Sequence, residues 1–167
     1  MRQQRVTRAW WVCAGLCVGV ALAGCARLSE TGMVLFATNV PAMAIVKGQM
    51  MQGEVKLVPD RTGSVVLNAT QRSSTLLGYT PIASCMGRLR FTSTAAGEMD
   101  LRCNEGTAVT LHFSLISDAT GYAYSQSTTD PVSLTFGLRP EVAKAYLTAP
   151  AERKLVETAD GAALELR

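Results

Sequence analysis

Beyond residue 32 the chain reads as mainly β, a small antiparallel β-barrel or sandwich with one short C-terminal helix. Three observations predict this. Apolar residues recur with period two, not with the helical period, over most of that length. Clusters of Gly, Pro, Asn and Asp punctuate the runs at turn-like intervals. Five such runs follow one another across residues 85–137 with no helical pattern between them, as an antiparallel meander that curls into a barrel or half a sandwich.

Taken in order, residues 41–52 hold Met43, Ile45, Val46, Met50 and Met51 with little polar alternation. They suit either a buried first strand or an adaptable apolar segment that meets a partner. Val55 and Leu57 alternate with Glu54 and Lys56, and Pro59-Asp60-Arg61-Thr62-Gly63 supplies the turn into a second strand over residues 64–69. Residues 70–84 are polar, broken by Gly78 and Pro81, and form the longest irregular stretch.

In the clearest unit, Leu89 and Phe91 alternate with Arg88 and Arg90, and Met99, Leu101 and Cys103 alternate with Glu98, Asp100 and Arg102. A three-residue turn at Ala95-Ala96-Gly97 predicts Phe91 opposite Met99 and Arg90 opposite Asp100, pairs each contributing about 0.2–1 kcal/mol. That register leaves Cys85 and Cys103 one pair out of line, to be reconciled by a bend near Gly87. Asn104-Glu105-Gly106 turns into a strand with Val109, Leu111, Phe113 and Leu115 on one face and Thr110, His112 and Ser114 on the other. Asp118–Gly121 leads into Tyr122–Ser125, and Asp130-Pro131 into Val132–Gly137, with Val132, Leu134 and Phe136 inward. Pro140 and Glu141 suit the first turn of a helix over Arg139–Leu147, with Val142, Ala145 and Tyr146 as its apolar stripe. The tail reads as a last hairpin with a type I′ turn at Asp160-Gly161.

The first 24 residues follow different rules. Arg2, Arg5 and Arg8 precede an apolar run from Ala9 to Leu22, the basic and apolar regions of a secretory signal, and the run is short for a membrane span. Leu22-Ala23-Gly24-Cys25 then resembles the lipobox of bacterial lipoproteins residue for residue. The resemblance implies cleavage before Cys25, a diacylglycerol on its thiol and an acyl chain on the new amine, and hence attachment to the membrane by lipid. Ala26, in place of aspartate, implies delivery to the outer membrane. The division expected is a signal peptide over 1–24, a lipidated tether over 25–32 and a single β-rich domain over 33–167.

Three of the 16 basic residues lie in the signal, which carries no acidic one, so the mature chain has as many basic as acidic groups. Without a polybasic patch, nucleic-acid binding is disfavoured, because a phosphate backbone needs clustered Lys and Arg. In an oxidising compartment Cys85 and Cys103 are expected to form a disulfide, contributing about 3 kcal/mol. The alternatives, a redox pair or a metal site, lack a Cys-x-x-Cys spacing and enough ligands.

Chemistry-bearing patterns are few. His112 is the single histidine, beside Thr110 and Ser114, but neighbours two apart on a strand point in parallel and do not aim a hydroxyl at the imidazole. Glu98 and Asp100 share a face, yet Arg90 and Arg102 neutralise them. No phosphate-cradling loop, catalytic residue, metal site, cofactor or small-molecule substrate is inferred. Tyr122 and Tyr124, with Tyr79, suit either alternate core and edge packing, the commoner arrangement, or an aromatic binding surface.

These features predict a non-enzymatic envelope component that binds a protein partner. Small disulfide-bearing lipoproteins that inhibit lysozyme carry a Ser/Ala-x-Gly-x-x-Tyr loop, which Ala119-Thr120-Gly121-Tyr122-Ala123-Tyr124 resembles, with a shorter spacing from Cys103. That resemblance implies, as the alternative, a periplasmic inhibitor of a lysozyme-like wall hydrolase acting through Gly121, Tyr122 and Tyr124.

Overall fold

The structure, a computed structural model, describes residues 36–70, 82–127 and 131–167. The signal, Cys25, the tether, Tyr79 and Asp130 lie outside the described residues. From Thr38 onward the chain is a closed antiparallel barrel, and a sandwich is excluded because the last barrel strand pairs with the first.

The strands are β1 (Thr38–Val46), β2 (Gln49–Val58), β3 (Thr62–Ala69), β4 (Ser84–Phe91), β5 (Ala96–Cys103), β6 (Ala108–Ser117), β7 (Thr120–Ser125) and β8 (Ser133–Phe136). Each pairs with the next in the chain, and β8 closes on β1 with Ala42 opposite Phe136 and Ala44 opposite Leu134. A single turn of helix, α1 (Pro140–Ala143), and a separate hairpin, β9 (Leu155–Glu157) with β10 (Leu164–Leu166), follow.

An eight-stranded barrel has an interior just wide enough for side chains to fill. Here Val65, Leu67, Met99, Leu101, Leu111, Phe113, Leu134 and Phe136 fill it, each essentially solvent-free, and each large apolar chain so buried stabilises the fold by roughly 1.5–3 kcal/mol. Phe113 meets Phe91 and Phe136 edge-on, with centroids 4.9 and 6.4 Å apart. The outer wall carries Glu54, Lys56, Arg88, Arg90, Glu98, Asp100 and Arg102 opposite these inward positions. Apolar inside and charged outside is the inverse of a membrane-spanning barrel, whose lipid face does not tolerate such charges.

A second apolar cluster lies outside the barrel. Met43, Ile45 and Met50 point outward from β1 and β2 and are covered by Ala143, Leu147, Leu155, Leu164 and Leu166. This resolves the ambiguity of residues 41–52: they form a hairpin buried on both faces, and the chain's own C-terminal segment covers the outer one. Lys47 and Gly48 turn it, both at positive φ (47° and 71°), as a two-residue hairpin turn of the primed kind requires.

Four local expectations are corrected. The β4–β5 register has Phe91 opposite Gly97, Leu89 opposite Met99, Arg88 opposite Asp100 and Arg90 opposite Glu98. The turn is centred nearer Ser93-Thr94, with the N–H groups of Thr92 and Ser93 both donating to the Ala96 carbonyl. Gly97 is therefore a strand residue, and a Cβ there would sit 2.6 Å from the Phe113 ring. In this register Cys85 and Cys103 stand directly opposite and are disulfide-bonded, so no bend at Gly87 is needed.

The helix is the second correction: it spans four residues, Pro140–Ala143, not nine, and its cap Arg139 makes no side-chain bond to the first turn. After Lys144 the chain continues through bonds from Ala145 N–H to the Val142 carbonyl and from Tyr146 N–H to the Ala143 carbonyl. Third, its apolar stripe is Ala143 and Leu147, while Val142 is 41% exposed. Fourth, the tail does not make a type I′ turn, which needs positive φ at both central residues. Only Gly161 has it, and Thr158 N–H pairs instead with the Ala163 carbonyl across a longer loop.

Candidate functional site

The tyrosines singled out in the sequence lie on the outer wall of β7, and their position follows from strand alternation. Gly121 and Ala123 point inward and are buried, so Tyr122 and Tyr124 point outward. Gly121 is inward for a steric reason: a Cβ would meet the Phe136 ring at 2.6 Å and the Ser114 carbonyl oxygen at 2.5 Å. The segment 119–124 is thus mostly strand, not loop, with only Ala119 in the turn before it.

A third ring joins them from the other end of the chain. Tyr146, just after α1, stacks on Tyr122 with centroids 4.8 Å apart and planes 17° from parallel, and Tyr122 meets Tyr124 at 5.5 Å and 51°. The result is a ladder of three half-exposed phenols along β7 and the rim of the C-terminal segment. The sequence pattern puts Tyr146 on the apolar stripe of a longer helix, because nothing local says that the helix ends early and delivers the ring to β7.

Cross-strand neighbours set the ladder's polarity. Tyr124 lies opposite His112 on one side and Ser133 on the other; Tyr122 lies opposite Ser114 and Thr135. Ser133 and Thr135 are buried, and Ser133 Oγ accepts the Thr148 N–H at 2.9 Å, which ties the C-terminal segment to the barrel beside the rings. Burial, followed by the adjacent Tyr122 and Tyr146 phenols, pushes the Tyr124 hydroxyl above its ordinary pKa. A phenol of this kind, an apolar ring with a hydrogen-bonding tip, is what makes tyrosine effective at recognition surfaces.

His112 is exposed on this same face, one strand away from Tyr124. Of the hydroxyls beside it on β6, Thr110 donates to Asp100 Oδ1 at 2.8 Å. Arg90 pairs with Glu98 at 3.3 Å, as expected of the neutralised carboxylates, whereas Asp100 accepts the Thr110 hydroxyl and makes no ion pair among the described residues. Among the described residues no group of three or more His, Cys, Asp or Glu is gathered to hold a metal ion. Nor is any helix there long and apolar enough to cross a membrane.

No family model matches the chain, and no curated protein does. Among solved structures, one described as a redesigned beta barrel is similar over 59% of this chain and 86% of its own, at 16% identity and a TM-score of 0.42.

Proposed function

We propose that the chain is a lipid-anchored lipoprotein of the bacterial outer membrane whose barrel is a non-catalytic domain that binds an envelope protein. The observation that carries this is Leu22-Ala23-Gly24-Cys25 placed directly after a basic and an apolar segment, ahead of a chain that pairs its two remaining cysteines. One acyl chain holds a protein to a membrane only marginally, and two or three make the attachment stable, with about 0.8 kcal/mol per buried CH₂. The tyrosine ladder supports the binding half of the proposal. It offers a rigid apolar surface with polar tips on a domain that holds its rings in place by stacking.

The test is cross-linking in the cell, comparing the native chain with Cys25→Ala and with a Tyr122→Ser/Tyr124→Ser double variant. The expected result is an envelope protein recovered in fixed ratio with the native chain, lost with the double variant, and a Cys25→Ala chain that no longer sediments with membrane. A Cys25→Ala chain that still fractionates with the outer membrane would sink the anchoring half. Recovery of a wall hydrolase from native and Cys25→Ala chains alike would replace partner binding with inhibition.

A further inference from the structure

On the wall away from the tyrosines, the outer faces of β3, β4 and β5 form a groove of about 660 Å³. Its floor is the cross-strand pair Val66 and Met86, which are 45% and 63% exposed although both are large and apolar. Arg102 stands directly opposite Met86, and Arg88 lies two residues along β4 on the same face, about 7 Å away by strand rise. Neither arginine makes an ion pair among the described residues, whereas Arg90 pairs with Glu98 and the nearby Asp100 carboxylate accepts the Thr110 hydroxyl. Asn104 Oδ1 accepts the N–H groups of Ala83 and Ser84, which leaves its Nδ2 as a further donor at the rim. An apolar floor between two uncommitted guanidinium groups is what a carboxylate next to an aliphatic side chain needs, with the guanidinium fork matching the carboxylate oxygens.

We propose that this groove docks an acidic peptide segment of a partner protein, with an aliphatic side chain on Val66 and Met86 and carboxylates on Arg88 and Arg102. The proposal deepens the partner-binding reading and is independent of the lipid anchor. Three features favour a peptide over other anions. The floor is two side chains wide across adjacent strands about 4.8 Å apart, the footprint of one aliphatic residue and not of an acyl chain. The surface is concave, so a planar bilayer is a poor fit, while an extended peptide can enter it. Finally, a closed wall has no free edge to which a strand can add, so recognition falls to side chains, and Met and Arg are enriched at protein interfaces.

The experiment uses the full chain in phosphatidylcholine nanodiscs and fluorescence polarisation of a labelled, amidated peptide alternating Asp and Leu. Saturable binding is expected, weakened about tenfold or more when Asn replaces Asp, when Ser replaces Leu, and in Arg88→Ala, Arg102→Ala or Met86→Asp. These side chains are exposed, so unchanged thermal unfolding certifies each variant. Absence of saturation up to about 5 mM peptide, weaker than any specific contact of this size, would overturn the proposal. Equal binding of a Lys-Leu peptide, or indifference to both arginine variants, would overturn it as well. Arginine-dependent sedimentation with phosphatidylglycerol vesicles but no peptide binding would reassign the groove to a membrane surface. All of these outcomes leave the fractionation of Cys25→Ala untouched, so failure here and failure of the anchor are distinguishable.

Discussion

Two stretches of the same wall, built from the same kind of strand, meet opposite surroundings. On β1, β2 and β8 the outward residues Met43, Ile45, Met50, Ser133 and Thr135 are buried beneath the C-terminal segment. On β3, β4 and β5 the outward residues Ser64, Val66, Met86, Arg88, Asp100 and Arg102 face solvent. The interior is alike behind both. What differs is the outer layer, and with it the grammar of the strand: the covered β1–β2 hairpin reads as a nearly continuous apolar run, while β4 and β5 on the open wall alternate.

The comparison makes graded predictions, checked by chemical denaturation. Leu164→Ala removes a solvent-free side chain from the covering layer and should cost about 2–5 kcal/mol. A value near zero would mean that the C-terminal segment rests on the wall without supporting it. On the open wall the sensitive position should be the inward one. Gly87→Ala places a Cβ 2.5 Å from the Asp100 carbonyl oxygen and 2.9 Å from Val65 Cγ1, for an expected loss of about 1–3 kcal/mol. Its outward neighbour should be nearly indifferent, with Met86→Ser changing stability by less than about 0.5 kcal/mol. A large loss at Met86 would show that the open wall is covered after all.

The smallest effect concerns the boundary between the two walls, at Tyr124. Its folded-state pKa is raised, chiefly by burial and then by Tyr122 and Tyr146, so the fold favours the protonated phenol. Stability is full below the unfolded tyrosine pKa of about 10 and falls as pH rises through that value toward the folded one, because the unfolded chain ionises first. Tyr124→Phe should flatten this alkaline decline in a pH series of thermal unfolding. An identical decline in the variant would assign it to other groups.

What the sequence makes legible follows the same division. On the open wall β4 and β5 and their inward residues Leu89, Met99 and Leu101 were readable from alternation, because water on one side and core on the other imprint a period of two, whereas the Cys85–Cys103 pair was expected from cysteine count and compartment and its register was not. The β1–β2 hairpin was not, since Met43, Ile45 and Met50 answer to Leu155, Leu164 and Leu166 far along the chain. Register failed for a related reason. Gly97 looks like a turn residue until the Phe113 ring is seen occupying the space of its missing side chain. Tyr122 and Tyr124 were legible as candidates for an aromatic surface, with core and edge packing left open, and Tyr146 was not, because its stacking depends on where a one-turn helix stops. The Val66–Met86 floor was invisible, as each residue alone is an ordinary surface apolar residue and only the pairing of β3 with β4 joins them.

Closure of β8 onto β1 also orders events in time. The Thr135 hydroxyl reaches the Met43 carbonyl across 92 residues of sequence, while most other strand pairs join neighbours along the chain. Such a distant contact is slow to find. The meander can therefore zip from either end as an open sheet, but its two free edges persist until the last strand arrives. During synthesis, the interval before residue 136 is available is when this chain is most open to pairing with another copy of itself. The four residues of β8, all of them buried, act as the latch that ends that exposure.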